Sequence, residues 1–355
     1  MKINGFAAFR AGADLEPITF ERRALRSNDV AMEILYSGVC HSDLHQARND
    51  WSDWGPTVYP VVPGHEIVGR VTAVGDAVTR HKVGDAVAVG CMVDSCQVCD
   101  PCRKGEEMFC RHGMTPTYNG SDRVTGDTTY GGYSKHLVVR EEFVLSVPDG
   151  LDLSRTAPLL CAGITTYSPL RTWGVGPASR VGVVGLGGLG HMAVKLASGL
   201  GAHVTVISRN DNKREEALAL GADEVLVSAD ASAMQAKAST LDLIINTIPV
   251  KHDVTPYMAL LDYDGTQVLV GQIGALEPTT SAPLVFGRRR LAGSPIGGIA
   301  QTQELLDFCA RKNILPECET IRMDEINKAF ERMERADVRY RFVIDMASLA
   351  DAPNP

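Results

Sequence analysis

The sequence predicts an α/β protein of two domains: a compact, barrel-like β domain, followed by a doubly wound parallel sheet covered by helices on both faces. Three observations predict it. The chain of 355 residues is longer than a single core usually organises. From Asp29 to Pro148, short β-rich runs alternate with glycine-marked breaks: DVAMEILYSG, HEIVGRVTAVG, KVGDAVAVG and YSKHLVVREEFVLSVP. From Ala157 to Arg289 the text changes to continuous Val/Ile/Leu runs (RVGVVGL, HVTVIS, EVLV, LDLIINTI, TQVLVG) separated by helical segments such as GGLGHMAVKLASGLGA and DNKREEALALGA. A parallel sheet buried on both faces requires that pattern.

The expected boundaries follow. Residues 1–156 form the β domain, 157–289 the doubly wound domain, and 290–355 return to complete the first, because the β half has few helices of its own. The returning tail carries helical patterns at Gln303–Lys312 and Asp324–Ala336 and a last apolar run at Arg341–Asp345.

Composition narrows the function. With 45% hydrophobic and 22% charged residues the chain reads as an ordinary globular protein. Its net charge of -8 offers no footprint for nucleic acid, and Arg288-Arg289-Arg290 is too short a basic run to supply one. The N-terminus lacks the apolar stretch of a signal peptide, and no run approaches the roughly 20 apolar residues of a membrane span, which predicts a cytoplasmic location. In that reducing setting the nine cysteines point to metal rather than disulfides.

Four of them, Cys96, Cys99, Cys102 and Cys110, have the spacing C-x2-C-x2-C-x7-C. Four thiolates close the shell of a tetrahedral zinc and leave no place for substrate, so such a site is structural. An iron–sulfur cluster also uses C-x2-C-x2-C, but the fourth spacing is wrong for a ferredoxin run and no proline follows Cys110. Cys91, Cys309 and Cys318 read as small core residues.

Cys40-His41-Ser42-Asp43-Leu44-His45 and Gly64-His65-Glu66 place a thiolate, an imidazole and a carboxylate at the edges of β runs. Each alone is more often packing than a ligand. Together they offer part of a catalytic zinc site, which takes three protein ligands and keeps a fourth position open. The third ligand must come from elsewhere, and Cys161, in PLLCAGITTYSP at the domain junction, is the candidate.

Gly185-Leu186-Gly187-Gly188-Leu189-Gly190 follows the apolar strand VGVV and opens a helical segment, the context a G-x-G-x-x-G dinucleotide fingerprint demands. The next strand ends at Ser208, where an NAD site would place Asp or Glu on the ribose hydroxyls. Here Ser208-Arg209 stands instead, with Lys213 nearby. The missing carboxylate and the available cations favour a 2′-phosphate, hence NADP(H). Asp211 reads as the cap of the following helix.

The stretches C-H-S-D-L-H (40–45), P-G-H-E (63–66), the cysteine loop (96–110), L-C-A-G-I-T-T-Y-S-P-L (160–170) and G-L-G-G-L-G-H (185–191) occur in the order of the zinc-containing medium-chain alcohol dehydrogenase family. The chain resembles that family, and most its cinnamyl-alcohol-dehydrogenase-type branch of NADP-dependent aldehyde reductases. The resemblance implies a GroES-like β-barrel catalytic domain and a Rossmann cofactor domain, with two zinc ions per chain. It implies Cys40, His65 and Cys161 as ligands of the catalytic zinc and Glu66 as an alternating ligand. It also implies Ser42 as the hydroxyl on the substrate oxygen and His45 as the outer end of the proton relay. It places walls of a hydrophobic pocket at Trp51, Trp54, Met92, Tyr118, Ile296 and Ile299, for each of which buried core is the competing reading. It suggests a homodimer through the segment 283–298. The expected reaction interconverts hydrophobic primary alcohols and aldehydes, cinnamyl-like ones included.

Three rival functions are weighed by single features. A zinc polyol or secondary-alcohol dehydrogenase using NAD would favour a carboxylate in place of Cys161 and an acid at 208. A zinc-free quinone reductase would lack Cys40, His65 and the cysteine loop. A zinc-ribbon binding module would need a basic face, yet Asp94, Asp100, Glu106 and Glu107 offset Arg103, Lys104 and Arg111 around the loop.

Overall fold

A computed structural model of the protein describes residues 1–271 and 273–350. Its contacts separate two compact units: Met1–Cys161 together with the chain from Gly297 onward, and Ala162–Ile296. The sequence put the first division after 156. The short 3-10 turn Ala157–Leu160 packs against the long strand Asp29–Val39 and so stays with the first unit.

The first unit is built on a seven-stranded sheet in the order Cys318–Arg322, Arg341–Asp345, Asp29–Val39, Ile67–Val74, Ala86–Val89, Leu145–Ser146, with His136–Arg140 also paired to Asp29–Val39. Asp29–Val39 organises it. One of its edges pairs along most of its length with Ile67–Val74. The other edge is shared: Asp29–Glu33 take His136–Arg140, and Tyr36–Val39 take Arg341–Asp345. Two partners on one edge bend the sheet, and register breaks at Ala31/Met32 and Ile34/Tyr36 accommodate the bend. Val30, Met32 and Ile34 alternate into the core and are fully buried.

The sequence left the residues after Cys40 at the edge of a β run. The structure instead forms a helix over His41–Arg48. Asp43 Oδ2 accepts the Cys40 N–H at 2.9 Å, an acid three residues after the cap serving as its partner, and Leu44 and Ala47 bury one face. Ser42 and His45, three apart, therefore share a helix face.

The second unit is a six-stranded parallel sheet: Glu224–Val227, His203–Ser208, Arg180–Val184, Leu241–Asn246, Leu261–Leu269, Arg290–Gly293. Numbered by sequence, that order is 3-2-1-4-5-6, the doubly wound order whose switch point lies between the strands ending at Val184 and Asn246. Val181, Val183, Val204, Val206, Ile244 and Ile245 are all fully buried, as two covered faces demand.

Helix lengths differ from expectation. The segment after the glycine loop is helical over Gly190–Gly199, and the next over Arg214–Ala219. Lys213, not Asp211, holds the cap position of the latter, and the Asp211 carboxylate instead receives Arg214 Nε at 2.7 Å. The tail helices run Ile299–Lys312 and Ile326–Glu334, the first starting four residues earlier than the apolar periodicity suggested because Gly298 ends the preceding extended segment. Among the described residues no helix is long and apolar enough to cross a membrane.

Candidate active site

Cys40, His65, Glu66 and Cys161 converge although they are spread over 121 positions. Cys40 directly follows the central strand and caps the His41–Arg48 helix, His65 and Glu66 lead into Ile67–Val74, and Cys161 follows the turn Ala157–Leu160. All four are buried, and one ligand atom from each lies within 4.8 Å of the others. The sulfurs of Cys40 and Cys161 are 3.9 Å apart; two thiolates on one tetrahedral zinc stand about 3.8 Å apart, given Zn–S bonds of about 2.3 Å. The hydrogen bond between the two thiols pushes Cys40 well below its ordinary range and Cys161 well above it.

Glu66 is fully buried. Its Oε1 accepts from the Arg341 guanidinium, while Oε2 has no hydrogen-bond partner. Burial pushes its carboxyl up to about 7. A buried carboxylate oxygen left without a partner beside two thiols and an imidazole is the donor set a zinc ion fits.

Asp43 orients this cluster. Fully buried, it accepts from Cys40 N (2.9 Å), Gly64 N (3.0 Å), Tyr133 Oη (3.0 Å) and His65 Nδ1 (3.0 Å). The last bond turns the other ring nitrogen of His65 free for a metal. Burial, the largest single influence, works against a charged His65 ring, but the charge and hydrogen bond of Asp43 together with the Cys91 and Cys40 sulfurs hold the imidazole well above its usual range. Gly64 sits at φ +99°, and a Cβ there would lie 2.7 Å from Tyr133 N, so no other residue fits before His65. Arg22 fixes the loop that carries Tyr133: its guanidinium donates to the carbonyls of Tyr130 (2.6 Å), Gly131 (2.8 Å) and His136 (3.0 Å).

Ser42 Oγ lies 3.6 Å from Cys40 Sγ. His45 is partly exposed; its Nδ1 meets Asp50 Oδ2 at 2.8 Å and its ring stands 5.5 Å from that of Trp51. Asp50 thereby settles which ring nitrogen of His45 is occupied.

The second cluster, Cys96, Cys99, Cys102 and Cys110, also gathers its sulfurs within 4.8 Å. Cys102 Sγ stands 3.9 Å from Cys96 Sγ and 3.5 Å from Cys99 Sγ. Backbone N–H groups of Cys96, Cys99 and Arg111 point at the sulfurs of Cys110, Cys96 and Cys99, at 3.4, 3.4 and 3.5 Å. Such donors favour thiolates, and they press Cys99 down to about 6, the N–H of Cys102 contributing most.

In the second unit the glycine loop lies at the switch point. Gly185 has φ +90°, and a Cβ on Gly190 would meet Gly185 O at 2.2 Å, so the first and last glycines are required for the turn itself. A Cβ on Gly187 would meet nothing within 4 Å: the middle glycine faces open space, where a phosphate can approach the backbone. Lys213 Nζ reaches back to Leu186 O at 2.8 Å, over this loop. Ser208 ends its strand half-buried and Arg209 is exposed beyond it.

Residues 26–149 match the model of the alcohol dehydrogenase GroES-like domain and residues 188–311 that of the zinc-binding dehydrogenase. The chain is 52% identical to aldehyde reductase YahK of Escherichia coli (strain K12) over 353 residues, covering 99% of this chain and 100% of that protein. The chain belongs to the zinc-binding alcohol dehydrogenase family. Its fold superposes on the cinnamyl alcohol dehydrogenase of Sorghum bicolor with a TM-score of 0.94 at 46% identity, covering 100% of both chains. It superposes on the CAD of Helicobacter pylori, solved with NADP(H), with a TM-score of 0.90 at 40% identity, covering 98% of each. Within the family it falls in the cinnamyl-alcohol-dehydrogenase-type branch, and it is an alcohol dehydrogenase or aldehyde reductase by activity.

The dehydrogenase places its expected pocket residues unequally. Tyr118 is buried with its ring 5.6 Å from that of His65, and Met92 is buried on its strand. Trp51 is half-buried against His45, whereas Trp54 is 61% exposed. Ile299 is half-buried at the start of its helix, and Ile296 is half-buried in the second unit. Sequence reasoning missed Arg341, Arg22, Tyr133 and Asp50. Only Asp50 carried a local signal, a carboxylate five residues beyond His45, just past the end of its helix.

Proposed function

We propose that this dehydrogenase interconverts hydrophobic primary alcohols and aldehydes with NADP(H), using one zinc at Cys40, His65 and Cys161 and a second at Cys96, Cys99, Cys102 and Cys110. The observation that carries the reading is the buried four-donor cluster with two sulfurs 3.9 Å apart and one unpartnered carboxylate oxygen. When bound, zinc supplies a Lewis acid for the substrate oxygen, and NADPH supplies the hydride. Ser42 hydrogen-bonds that oxygen and moves its proton. His45, fixed through Nδ1 by Asp50, exchanges the proton with solvent at its other nitrogen. Glu66, held toward Arg341 through Oε1, would be the alternating ligand, its Oε2 offered to the metal. Asp43 keeps His65 aimed at the metal.

On the cofactor side, the loop Gly185–Gly190 receives the pyrophosphate, and Ser208, Arg209 and Lys213 receive the 2′-phosphate. In support, the strand end carries no acid to repel the phosphate, and relatives that include the NADP-dependent alcohol dehydrogenase C 1 of Mycolicibacterium smegmatis, 51% identical over 348 residues, bear the coenzyme in their names. Trp51, Trp54, Met92, Tyr118 and Ile299 supply an apolar wall suited to aromatic and aliphatic aldehydes. The test is reduction of cinnamaldehyde and benzaldehyde with NADPH and NADH side by side, against oxidation of mannitol with NAD. Aldehyde reduction with NADPH at a kcat/KM at least about tenfold above that with NADH is expected; preferential polyol oxidation with NAD contradicts the reading.

The protein is a cytoplasmic homodimer on this reading. Arg290–Gly293 is an edge strand with free backbone groups, and Phe286 and Val285 beside it are 91% and 71% exposed, a surface that a second copy covers. Sedimentation at micromolar concentration reads the assembly directly, and a monomer contradicts it.

A further inference from the structure

The cysteine loop does more than enclose its own four sulfurs. Its last turn, Glu107–Phe109, ends at Cys110, whose N–H donates to Glu107 O at 3.0 Å. The Glu107 side chain reaches outside the loop. The residue is 7% exposed, and its Oε2 accepts the Ile299 N–H at 3.0 Å, at the beginning of the 14-residue helix Ile299–Lys312. A helix start carries unsatisfied N–H groups and partial positive charge, so a buried carboxylate there is held by position as well as by one bond.

Backbone contact reinforces the junction. A Cβ on Gly298 would lie 1.6 Å from Gly105 O and 2.7 Å from Glu107 Oε2. Gly105 itself has φ +74°, and a Cβ on it would touch Ala300 Cβ at 3.6 Å. Thr302 closes the helix turn, with N and Oγ1 donating to Gly298 O at 2.9 and 2.8 Å. Gly298 is also the second residue after the chain re-enters the first unit at Gly297. Nothing about four thiolates on a metal requires a buried glutamate aimed at a distant helix.

We infer that Glu107 is a positioning residue that clamps the cysteine loop onto the first turn of the Ile299–Lys312 helix, so that an intact loop sets where Ile299 stands in the substrate wall. The part concerning substrate rests on the function proposed above; the clamp does not. Tight metal binding in the loop then serves aldehyde selection through Glu107, beyond its contribution to stability. Loosening the clamp disturbs large aldehydes that need the wall and spares small ones that do not.

The experiment compares wild type, Glu107→Gln and Glu107→Ala as zinc-loaded full chains, by amide hydrogen exchange over residues 297–306 and by steady-state reduction of cinnamaldehyde and acetaldehyde. Gln keeps an oxygen acceptor without charge, so it retains part of the clamp and guards against the case in which Ala fails to fold. The expected result is exchange at the first turn faster by about tenfold in Glu107→Ala and less in Glu107→Gln, with zinc content unchanged. KM for cinnamaldehyde rises by about tenfold in Glu107→Ala with kcat within about twofold, and KM for acetaldehyde stays level. Unchanged exchange overturns the clamp. Faster exchange with both aldehydes affected equally overturns its role in selection, and loss of loop zinc in Glu107→Gln shows a residue internal to the loop and overturns both. If the wild type reduces neither aldehyde, the proposed function fails while the exchange data still decide the clamp.

Discussion

Cys40→Ala is expected to lower aldehyde turnover by roughly 10⁴-fold while leaving NADPH affinity within a few-fold of wild type. The size follows from what the thiolate does. A Lewis acid at the carbonyl oxygen is worth several kcal/mol of transition-state stabilisation, and each 1.36 kcal/mol is about tenfold in rate. Removing Cys40 leaves His65 and Cys161, with only the second oxygen of Glu66 to add to them while its first is held by Arg341, a donor set with one thiolate fewer and a weakened hold on zinc. It also removes the start of the His41–Arg48 helix from the metal, so Ser42 and His45 lose their reference point. The glycine loop belongs to the other compact unit, which is why coenzyme affinity, read by quenching or by fluorescence of NADPH, is expected to survive. Turnover near the wild-type value would show that the cluster is packing rather than catalysis.

Ser208→Asp combined with Arg209→Ile is expected to shift the ratio of kcat/KM for NADPH over NADH by roughly two orders of magnitude toward NADH. Hydrogen bonds to charged groups contribute about 1.5–3 kcal/mol each. The double change deletes one cation and sets a carboxylate where a 2′-phosphate would lie, and the same carboxylate can accept from the two ribose hydroxyls of NADH. Lys213 is untouched, its Nζ 2.8 Å from Leu186 O, so the residual NADPH activity measures its share. An unchanged ratio would place the 2′-phosphate elsewhere.

What the sequence made legible, and what it hid, divides along physical lines. The parallel sheet was readable because strands buried on both faces must be continuous apolar runs, as in RVGVV and LDLIIN, and because the glycine loop is a local motif with a local reason. The cysteine loop was readable as a candidate metal cluster from its local spacing, whereas Cys40, His65, Glu66 and Cys161, far apart in the chain, were joined as one ligand set only by the family resemblance. The His41–Arg48 helix was not, since eight residues directly after a strand leave little room for a 3.6-residue period to declare itself; Asp43, three residues past the cap, was the only mark. Arg341 sits in a run that reads as an ordinary strand. It becomes a partner of Glu66 only because that strand pairs with Tyr36–Val39, some three hundred residues earlier in the chain. Arg22 and Tyr133 are likewise bonds between distant loops, and Glu107 looked like one more surface acid balancing a lysine.

The most direct test of the central claim is zinc content measured on the same samples as NADPH-dependent aldehyde turnover, for the wild type and Cys40→Ala. The account predicts two zinc ions per chain and full turnover in the wild type, and one zinc with turnover abolished in the variant. A fully active wild type holding less than one zinc, or a variant that keeps both zinc and activity, would contradict it.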